Sequence, residues 1–240
     1  ANGAGSANTD GTISSTVSVN TTSGFSIVSY TGNLTDGATV GHGLGVAPSC
    51  IIFKNRTDTQ YWVVYHKDLG GANNHLRLDD TAAKRNDLNM FSSTAPTSSV
   101  FELGNKEQVN GNTNNIIAYC FAEKTGYSKF GSYTGNGSTD GTFVYTGFKP
   151  AFFLIKNADD GTDDWHIMDN KRNGYNPQNN ILQPNLSDAE GSSTRVDFLS
   201  NGVKINSSSA FINGSGEKII FMAFASAPLV GTNNVPCTAR

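Results

Sequence analysis

The sequence predicts an all-β protein made of two tandem antiparallel β-sandwich units, of the jelly-roll or concanavalin A-like type, related by internal duplication. Its apolar runs are short, rich in β-branched and aromatic residues, and separated by Gly, Asn and Asp, which is typical of antiparallel strands. The same markers also occur twice in the same order, which indicates that one folding unit is repeated. No 12-residue window has a convincing 3.6-residue apolar period, so helices are expected to be minor.

Four pairs of markers define the repeat, three of them 103 residues apart and one 102 residues apart. The pairs are Tyr30-Thr31-Gly32-Asn33 with Tyr133-Thr134-Gly135-Asn136, Trp62 with Trp165, Asn110-Gly111 with Asn213-Gly214, and Pro48 with Pro150. Because their order and spacing are kept, we divide the chain into a lead-in segment (1–24), a first unit (25–126), a second unit (127–228) and a tail (229–240).

Each unit is expected to contain the same succession of strands. The runs that predict strands are 51–55, 61–65, 100–103 and 116–122 in the first unit, and 153–157, 164–168, 196–199 and 219–225 in the second. Dipeptides that tolerate positive φ are expected to form the turns between strands: Asp36-Gly37, Asn110-Gly111, Asp140-Gly141, Asn201-Gly202 and Asn213-Gly214.

The composition excludes several classes of protein. Gly, Ser, Thr and Asn make up 100 of the 240 residues and charged residues only 15%, unlike a helical bundle or coiled coil. A net charge of −3 gives no electrostatic footprint for nucleic acid. No apolar run is long enough to span a bilayer, so membrane insertion is not expected.

Tryptophan and cysteine are interpreted as packing residues. Trp62 and Trp165 recur in both units, which favours core packing over a ligand-stacking platform. Cys50 and Cys120 lie in apolar runs and are expected to be buried thiols, whereas Cys237 lies in the polar tail.

Motifs for phosphate binding and nucleophilic catalysis are absent from the sequence. It has neither Gly-x-x-x-x-Gly-Lys-Ser/Thr nor Gly-x-Ser-x-Gly, and its four histidines are too scattered for a zinc site. We therefore expect no enzyme activity and no cofactor. A glycoside hydrolase would use two carboxylates, and the candidate glutamates are Glu102, Glu107, Glu123, Glu190 and Glu217.

Two polar segments of the second unit are candidate sites. The acidic loop 159–164 carries Asp159, Asp160 and Asp163, which are weak candidates for binding Ca²⁺ and otherwise form a solvated turn. The segment 169–180 contains the binding candidates Arg172, Asn173, Tyr175 and Asn176. Long polar loops on rigid sandwiches often bind ligands, and the alternative is an ordered connection.

Four longer passages of the sequence are the basis of a family resemblance. They are Gly24-Phe25-Ser26-Ile27-Val28-Ser29-Tyr30-Thr31-Gly32-Asn33, Val40-Gly41-His42-Gly43-Leu44-Gly45-Val46-Ala47-Pro48, Ile117-Ala118-Tyr119-Cys120-Phe121-Ala122-Glu123 and Gly126-Tyr127-Ser128-Lys129-Phe130-Gly131-Ser132-Tyr133-Thr134-Gly135-Asn136-Gly137. Across residues 9–228 the chain resembles a tandem β-rich repeat family of tailed-bacteriophage virion proteins, marine and cyanobacterial phages especially, often labelled tail-fibre-like.

The resemblance implies a virion structural protein, the C-terminal part of a tail fibre or spike. Its expected partners are other virion proteins and a host cell-surface glycan or protein, which it would bind non-covalently as a homotrimer. Such repeats usually end longer polypeptides, in agreement with a chain that begins at Ala1 without methionine. The alternatives are a capsid decoration protein and a carbohydrate-active enzyme.

Overall fold

The computed structural model describes residues 3–226 of the protein, without the side chains of 193–195. Within that range it contains eighteen strands, all paired antiparallel, and two α-helices of four residues each, which confirms the predicted all-β class. None of the described helices is long and apolar enough to cross a membrane. The predicted tail and Cys237 lie outside the described residues.

The chain divides into two compact units. Of the described residues, unit 1 comprises those up to Leu78 together with Lys84–Glu123, and unit 2 comprises Asp79–Ala83 and those from Lys124 to Ser226.

Unit 1 has two sheets. Its strands are β1 (Ser6–Asn8), β2 (Ser15–Asn20), β3 (Phe25–Thr31), β4 (Ala38–Gly41), β5 (Cys50–Asn55), β6 (Val63–His66), β7 (Asn74–Arg77), β8 (Arg85–Asn86), β9 (Val100–Leu103) and β10 (Asn115–Phe121). One sheet has the order β1-β2-β3-β10-β5-β6-β7-β8, and the other is the pair β4-β9. A 3-10 turn covers Lys67–Leu69, and helix α1 (Glu107–Asn110) precedes β10.

Unit 2 also has two sheets. Its strands are β11 (Ser128–Thr134), β12 (Phe143–Tyr145), β13 (Pro150–Asn157), β14 (His166–Asp169), β15 (Gln178–Ile181), β16 (Gly191–Leu199), β17 (Gly202–Ile205) and β18 (Lys218–Ala225). The sheet orders are β11-β18-β13-β14 and β12-β17-β16-β15. Helix α2 (Ala210–Asn213) precedes β18.

Each unit buries its own core between its two sheets. In unit 1, Phe53 of β5 meets Phe101 of β9 edge to face, with ring centroids 5.3 Å apart. In unit 2, Phe221 of β18 belongs to the same buried cluster as Phe198 of β16 and Val203 of β17. Apolar side chains on alternate positions of both sheets therefore face inward, as in a sandwich.

The tyrosine of the repeated Tyr-Thr-Gly-Asn motif joins a strand to the short helix in both units. The Tyr30 hydroxyl donates to the carbonyl oxygen of Val109 at 2.6 Å, and the Tyr133 hydroxyl donates to that of Ile212 at 2.7 Å. Both tyrosines are buried. Each hydroxyl thus pairs with a helix carbonyl oxygen that has no partner within the helix, because the helix is only four residues long.

An asparagine at the end of each helix completes this connection, which we call the asparagine clasp. Asn110 is fully buried. Its side-chain oxygen accepts a hydrogen bond from the backbone N–H of Asn33 at 3.0 Å, and its amide nitrogen donates to the carbonyl oxygens of Thr35 and Gly104 at 2.9 and 2.8 Å. One side chain therefore holds three separate backbone segments.

Asn213 forms the clasp of unit 2 in the same way and is also fully buried. It accepts from the backbone N–H of Asn136 at 2.9 Å. Its amide nitrogen donates to the Asn136 side chain at 2.8 Å and to the carbonyl oxygens of Ser138 and Ser207 at 2.7 and 2.8 Å. The repeated Asn-Gly dipeptides are therefore part of the architecture of each unit.

Close backbone approach explains the glycine in the Tyr-Thr-Gly-Asn motif. A Cβ on Gly32 would lie 2.4 Å from the carbonyl oxygen of Gly111, and a Cβ on Gly135 would lie 2.2 Å from that of Gly214. Neither contact is compatible with a side chain, so both motif glycines let the strand touch the clasp.

Of the glycines in the predicted turn dipeptides, only one has positive φ. Gly37 has φ of 80°, as expected for Asp36-Gly37. Gly111 and Gly214 have φ of −51° and −53°, and Gly141 and Gly202 do not have positive φ. The Asn-Gly pairs at 110 and 213 end helices, because their asparagine side chains bind the neighbouring backbone.

The lead-in segment of the chain is folded onto unit 1. β2 pairs with β3, and Ile13, which belongs to the core, donates its N–H to the carbonyl oxygen of Thr39 in β4 at 3.0 Å. In unit 2, β11 and β12 are terminal strands of their sheets within the described residues. The lead-in segment therefore covers β3 and β4 in unit 1, whereas β11 and β12 of unit 2 have no such cover among the described residues.

The strand that corresponds to β9 was assigned wrongly from the sequence. We predicted 196–199 as the counterpart of 100–103, but β12 pairs with β17 as β4 pairs with β9. The segment 196–199 belongs to β16, an additional long strand between β17 and β15. Both β16 and β17 alternate apolar and polar residues, so the pattern could not distinguish them.

The clasp makes a stability prediction. Asn213→Ala should lower the free energy of unfolding by about 3 kcal/mol, because one buried N–H and two carbonyl groups lose their partner at about 1–3 kcal/mol for each group left unsatisfied. Urea denaturation measures the change. The exposed Asn112→Ala is the control and should leave the midpoint unchanged; equal midpoints for the two variants would contradict the role of the clasp.

Candidate ligand-binding surface

Unit 2 exposes aromatic side chains on the outside of the sheet that contains β12, β17 and β16. Val144 of β12 is buried in the core, so its neighbours on the strand point outward. Phe143 and Tyr145 are 42% and 64% exposed, and Leu199 at the end of β16 is 38% exposed. We call the surface formed by Phe143, Tyr145, Leu199 and Gly202 the aromatic face.

Strand register places these residues together. Tyr145 and Leu199 are both paired with Gly202, one from each side, so the three form a row across the sheet. A Cβ on Gly202 would lie 2.8 Å from Cζ of Phe143, which shows that the Phe143 ring lies over this glycine. The absence of a side chain at Gly202 therefore keeps the aromatic face flat.

The corresponding positions of unit 1 are covered by the chain itself. Thr39 and Gly41 of β4 occupy the ladder positions that the two aromatic residues have on β12. Thr39 exchanges hydrogen bonds with Thr12 and Ile13, and a Cβ on Gly41 would lie 1.7 Å from the side-chain oxygen of Asn8. An exposed aromatic face is thus a feature of unit 2 and has no counterpart in unit 1.

A loop between β14 and β15, residues 170–177, lies beside the aromatic face; we call it the Tyr175 loop. The Asn176 side chain accepts from the N–H of Phe198 at 2.9 Å and donates to its carbonyl oxygen at 3.1 Å. Because Phe198 precedes Leu199, these two bonds fix the loop next to the aromatic face.

Other predicted binding residues also stabilise this loop. Arg172 donates from Nε to Asp169 at 2.7 Å and from a terminal nitrogen to Glu190, and Asn173 donates to the carbonyl oxygen of Pro177 at 3.0 Å. Three of the four predicted residues, Arg172, Asn173 and Asn176, are thus engaged within unit 2.

Tyr175 differs from the other three candidates. It is 76% exposed, the most exposed large hydrophobic residue among the described ones. An exposed tyrosine on a loop held at both ends offers contact area at a small cost in conformational entropy. Of the predicted candidates, Tyr175 is the one whose side chain is available to a ligand.

The carboxylates of the acidic loop accept hydrogen bonds from protein donors. Asp159 accepts from the N–H of Lys218 at 2.8 Å, Asp160 accepts from Thr162, and Asp163 accepts from Asn157 at 3.0 Å. No three acidic, histidine or cysteine side chains in the described part of the chain converge as metal ligands would. The three weak Ca²⁺ candidates therefore serve separate donors.

A buried ammonium group explains why this loop is acidic. Lys156 is fully buried and donates to the carbonyl oxygens of Asn157 and Asp160 at 2.6 and 3.1 Å. Burial lowers the pKa of Lys156, whereas the negative charges of Asp163 and Asp160 oppose that shift. The loop thus compensates a lysine of its own unit.

Burial keeps the two described thiols protonated, and two of the candidate glutamates interact with protein donors. Cys50 and Cys120 are buried and free, as predicted, and burial raises the pKa of the Cys50 thiol to about 12, so it is not a thiolate at neutral pH. Glu123 pairs with Lys67 at 2.7 Å, and Glu217 accepts from Asn157 at 2.7 Å.

Comparison with known proteins identifies the family. Residues 1–228 match the family model described as Domain of unknown function (DUF7483), so the chain belongs to that family. Neither the curated proteins nor the solved structures contain a match to this chain.

Sequence reasoning missed most of the aromatic face. Phe143 and Tyr145 flank Val144 in a run with no polar position, and a strand with one solvated face normally alternates apolar and polar residues. That departure was a usable signal of an exposed apolar surface. Leu199 gave the same kind of signal, because it directly follows the apolar Phe198 at a position where the alternation of Val196, Asp197 and Phe198 calls for a polar residue.

The division of roles in the Tyr175 loop can be measured. Tyr175→Ala should change the free energy of unfolding by less than about 0.5 kcal/mol, as exposed positions do. Asn176→Ala should lower it by about 2 kcal/mol, because the N–H and carbonyl of Phe198 lose their partner. Urea unfolding distinguishes them; a larger loss for Tyr175→Ala would show that this tyrosine is a packing residue.

A buried histidine predicts acid sensitivity. His166 stacks on Phe211 with ring centroids 4.0 Å apart, and burial lowers its pKa from 6.5 to about 4. The unfolded chain binds this proton more readily, so the stabilisation is complete above about pH 6.5 and is lost as the pH falls towards 4.

The expected loss is about 3 kcal/mol over that interval, from about 1.4 kcal/mol for each unit of pKa. Chemical denaturation at a series of pH values should show a shallower slope for His166→Phe than for the unsubstituted protein. Identical slopes would mean that other groups cause the acid sensitivity.

Proposed function

We propose that the protein is a bacteriophage virion component, the receptor-binding end of a tail fibre or spike, and that it binds a host surface glycan or protein without altering it chemically. The observation that carries this proposal is the aromatic face of unit 2 together with Tyr175. Large aromatic side chains exposed next to one another are uncommon on a surface with no partner.

The chemistry of this surface suits a carbohydrate. The rings of Phe143 and Tyr145 offer flat apolar area against which the C–H face of a sugar ring can stack. Hydroxyl groups of the sugar need hydrogen-bonding groups nearby, and Lys204 with Asp140 and Asp197 with Asn206 supply them on the same sheet. Aromatic platforms with adaptable polar neighbours are typical of recognition surfaces.

Several copies of the protein would strengthen a weak interaction. A homotrimer, which the resemblance to phage fibre repeats implies, presents three aromatic faces to one host cell. Once one face is bound, the others act at a high effective concentration, so modest contacts yield strong attachment.

A capsid decoration protein is the second candidate. The observation that favours it is also the aromatic face, because an exposed apolar surface at a sheet edge can instead seat on another virion protein. The two proposals differ in the partner and therefore in the binding experiment.

Binding to an array of bacterial surface polysaccharides and to intact bacteria tests the function. Tyr145→Ala and Tyr175→Ala should each reduce binding at least about tenfold, the effect of losing about 1.4 kcal/mol. Leu88→Ala removes an equally exposed apolar side chain, 63% exposed, from unit 1 and should bind normally. Binding to purified virion shell protein with none to any bacterial surface would support decoration instead.

A further inference from the structure

Unit 1 contains a separate open pocket at the end of β5. Its volume is about 580 Å³. Its lining includes Trp62, Ile117 and Tyr119, which we call the floor, and the segment that carries Lys54, Arg56 and Asp58, which we call the rim. The three floor residues are only partly buried, so an indole and a phenol are accessible from solvent. We call this the Trp62 pocket.

The rim of the pocket is held in place by hydrogen bonds. The buried Asn55 side chain accepts from the N–H groups of Thr57 and Asp58 at 2.9 and 3.0 Å. Asp58 in turn accepts from the side chain of Asn114 at 2.5 Å, and Thr57 accepts from the N–H of Asn115 at 2.9 Å. The rim is therefore preorganised, which lowers the entropic cost of binding a ligand.

The charges around the pocket favour an anionic group. The Lys54 ammonium lies 5.4 Å from the centre of the Trp62 ring and donates to the carbonyl oxygen of Gln60. The guanidinium of Arg56 is exposed and makes no hydrogen bond or ion pair with the described residues. Asp58 is the single acid on the rim, so cations outnumber anions there, and the guanidinium of Arg56 has no partner in the described part of the chain.

The corresponding region of unit 2 is closed. Trp165 is 3% exposed, and Ile220 and Met222, which stand at the positions of Ile117 and Tyr119, are also buried. Lys156, the counterpart of Lys54, is buried beneath the acidic loop. The pocket is therefore not a by-product of the shared fold, and Trp62 is not the core residue that its recurrence in the sequence predicted.

We propose that the Trp62 pocket binds an acidic sugar, a pyranose ring that carries a carboxylate. The C–H face of the ring stacks on the indole of Trp62, and the carboxylate accepts hydrogen bonds from the guanidinium of Arg56, whose planar donors match carboxylate geometry. Tyr119 and the hydroxyls of the rim are placed to meet the hydroxyl groups of the sugar. This site is distinct from the aromatic face, so it stands whether or not that face binds a receptor.

Tryptophan fluorescence tests the proposal directly, because Trp62 and Trp165 are the only tryptophans. The probe is trigalacturonic acid, with its fully methyl-esterified form as the neutral comparison. We expect the acid to change the emission, to bind at least about tenfold more tightly than the ester, and to weaken as salt is added. Trp62→Phe should abolish the change, whereas isothermal titration follows binding without depending on either tryptophan.

Arg56→Ala tests the charged contact, with Arg85→Ala as the control, an exposed arginine elsewhere in unit 1. Arg56→Ala should remove the preference for acid over ester, and Arg85→Ala should retain it. Because Arg56 is exposed, both variants are expected to fold. Equal affinity for acid and ester, no calorimetric binding of either, or binding of a mononucleotide in preference to the sugar acid would overturn the proposal.

Discussion

The two units depend on one buried interaction, the asparagine clasp. Asn110 and Asn213 each satisfy backbone groups of segments that are distant in sequence, and buried backbone groups must be paired somewhere. The helix that presents the asparagine is only four residues long, too short to be stable alone. A tyrosine hydroxyl and a glycine without a side chain complete the site, so the strand, the helix and the turn stabilise one another.

The clasp residues stabilise the fold, and the two proposed binding surfaces lie outside the clasp. The Tyr-Thr-Gly-Asn and Asn-Gly motifs of both units contribute to it, whereas the aromatic face and the open Trp62 pocket are each found in one unit only. The lead-in segment covers the β4 edge in unit 1, and the edge strand of unit 2 carries exposed Phe143 and Tyr145 instead. At the position that corresponds to the Trp62 pocket, unit 2 buries Lys156 and Trp165, whereas unit 1 has an open pocket. Residues that vary on a common scaffold are the ones free to recognise ligands.

The eight runs predicted as strands all overlap strands of the structure, because short β-branched runs separated by Gly and Asn leave few alternatives. Other features depended on tertiary contacts. Asn110-Gly111 resembled a turn, but its asparagine is buried and its glycine has ordinary φ. Trp62 and Trp165 look alike in sequence and differ in burial because the loops beside them differ. The polar loop predicted Tyr175 as a binding candidate together with Arg172 and Asn176. Only the structure shows that Arg172 and Asn176 hold the loop in place.

We infer that the protein meets its ligands through surfaces that are exposed in only one of the two units, and not through the clasp that both units contain. Hydroxyl-radical footprinting of the full chain, with and without a surface polysaccharide from a bacterium that it binds, tests this claim most directly. Bound polysaccharide should protect Tyr145 and Tyr175 from labelling and leave the buried Tyr30 and Tyr133 unchanged. Unaltered labelling of Tyr145 and Tyr175 at saturating polysaccharide would contradict it.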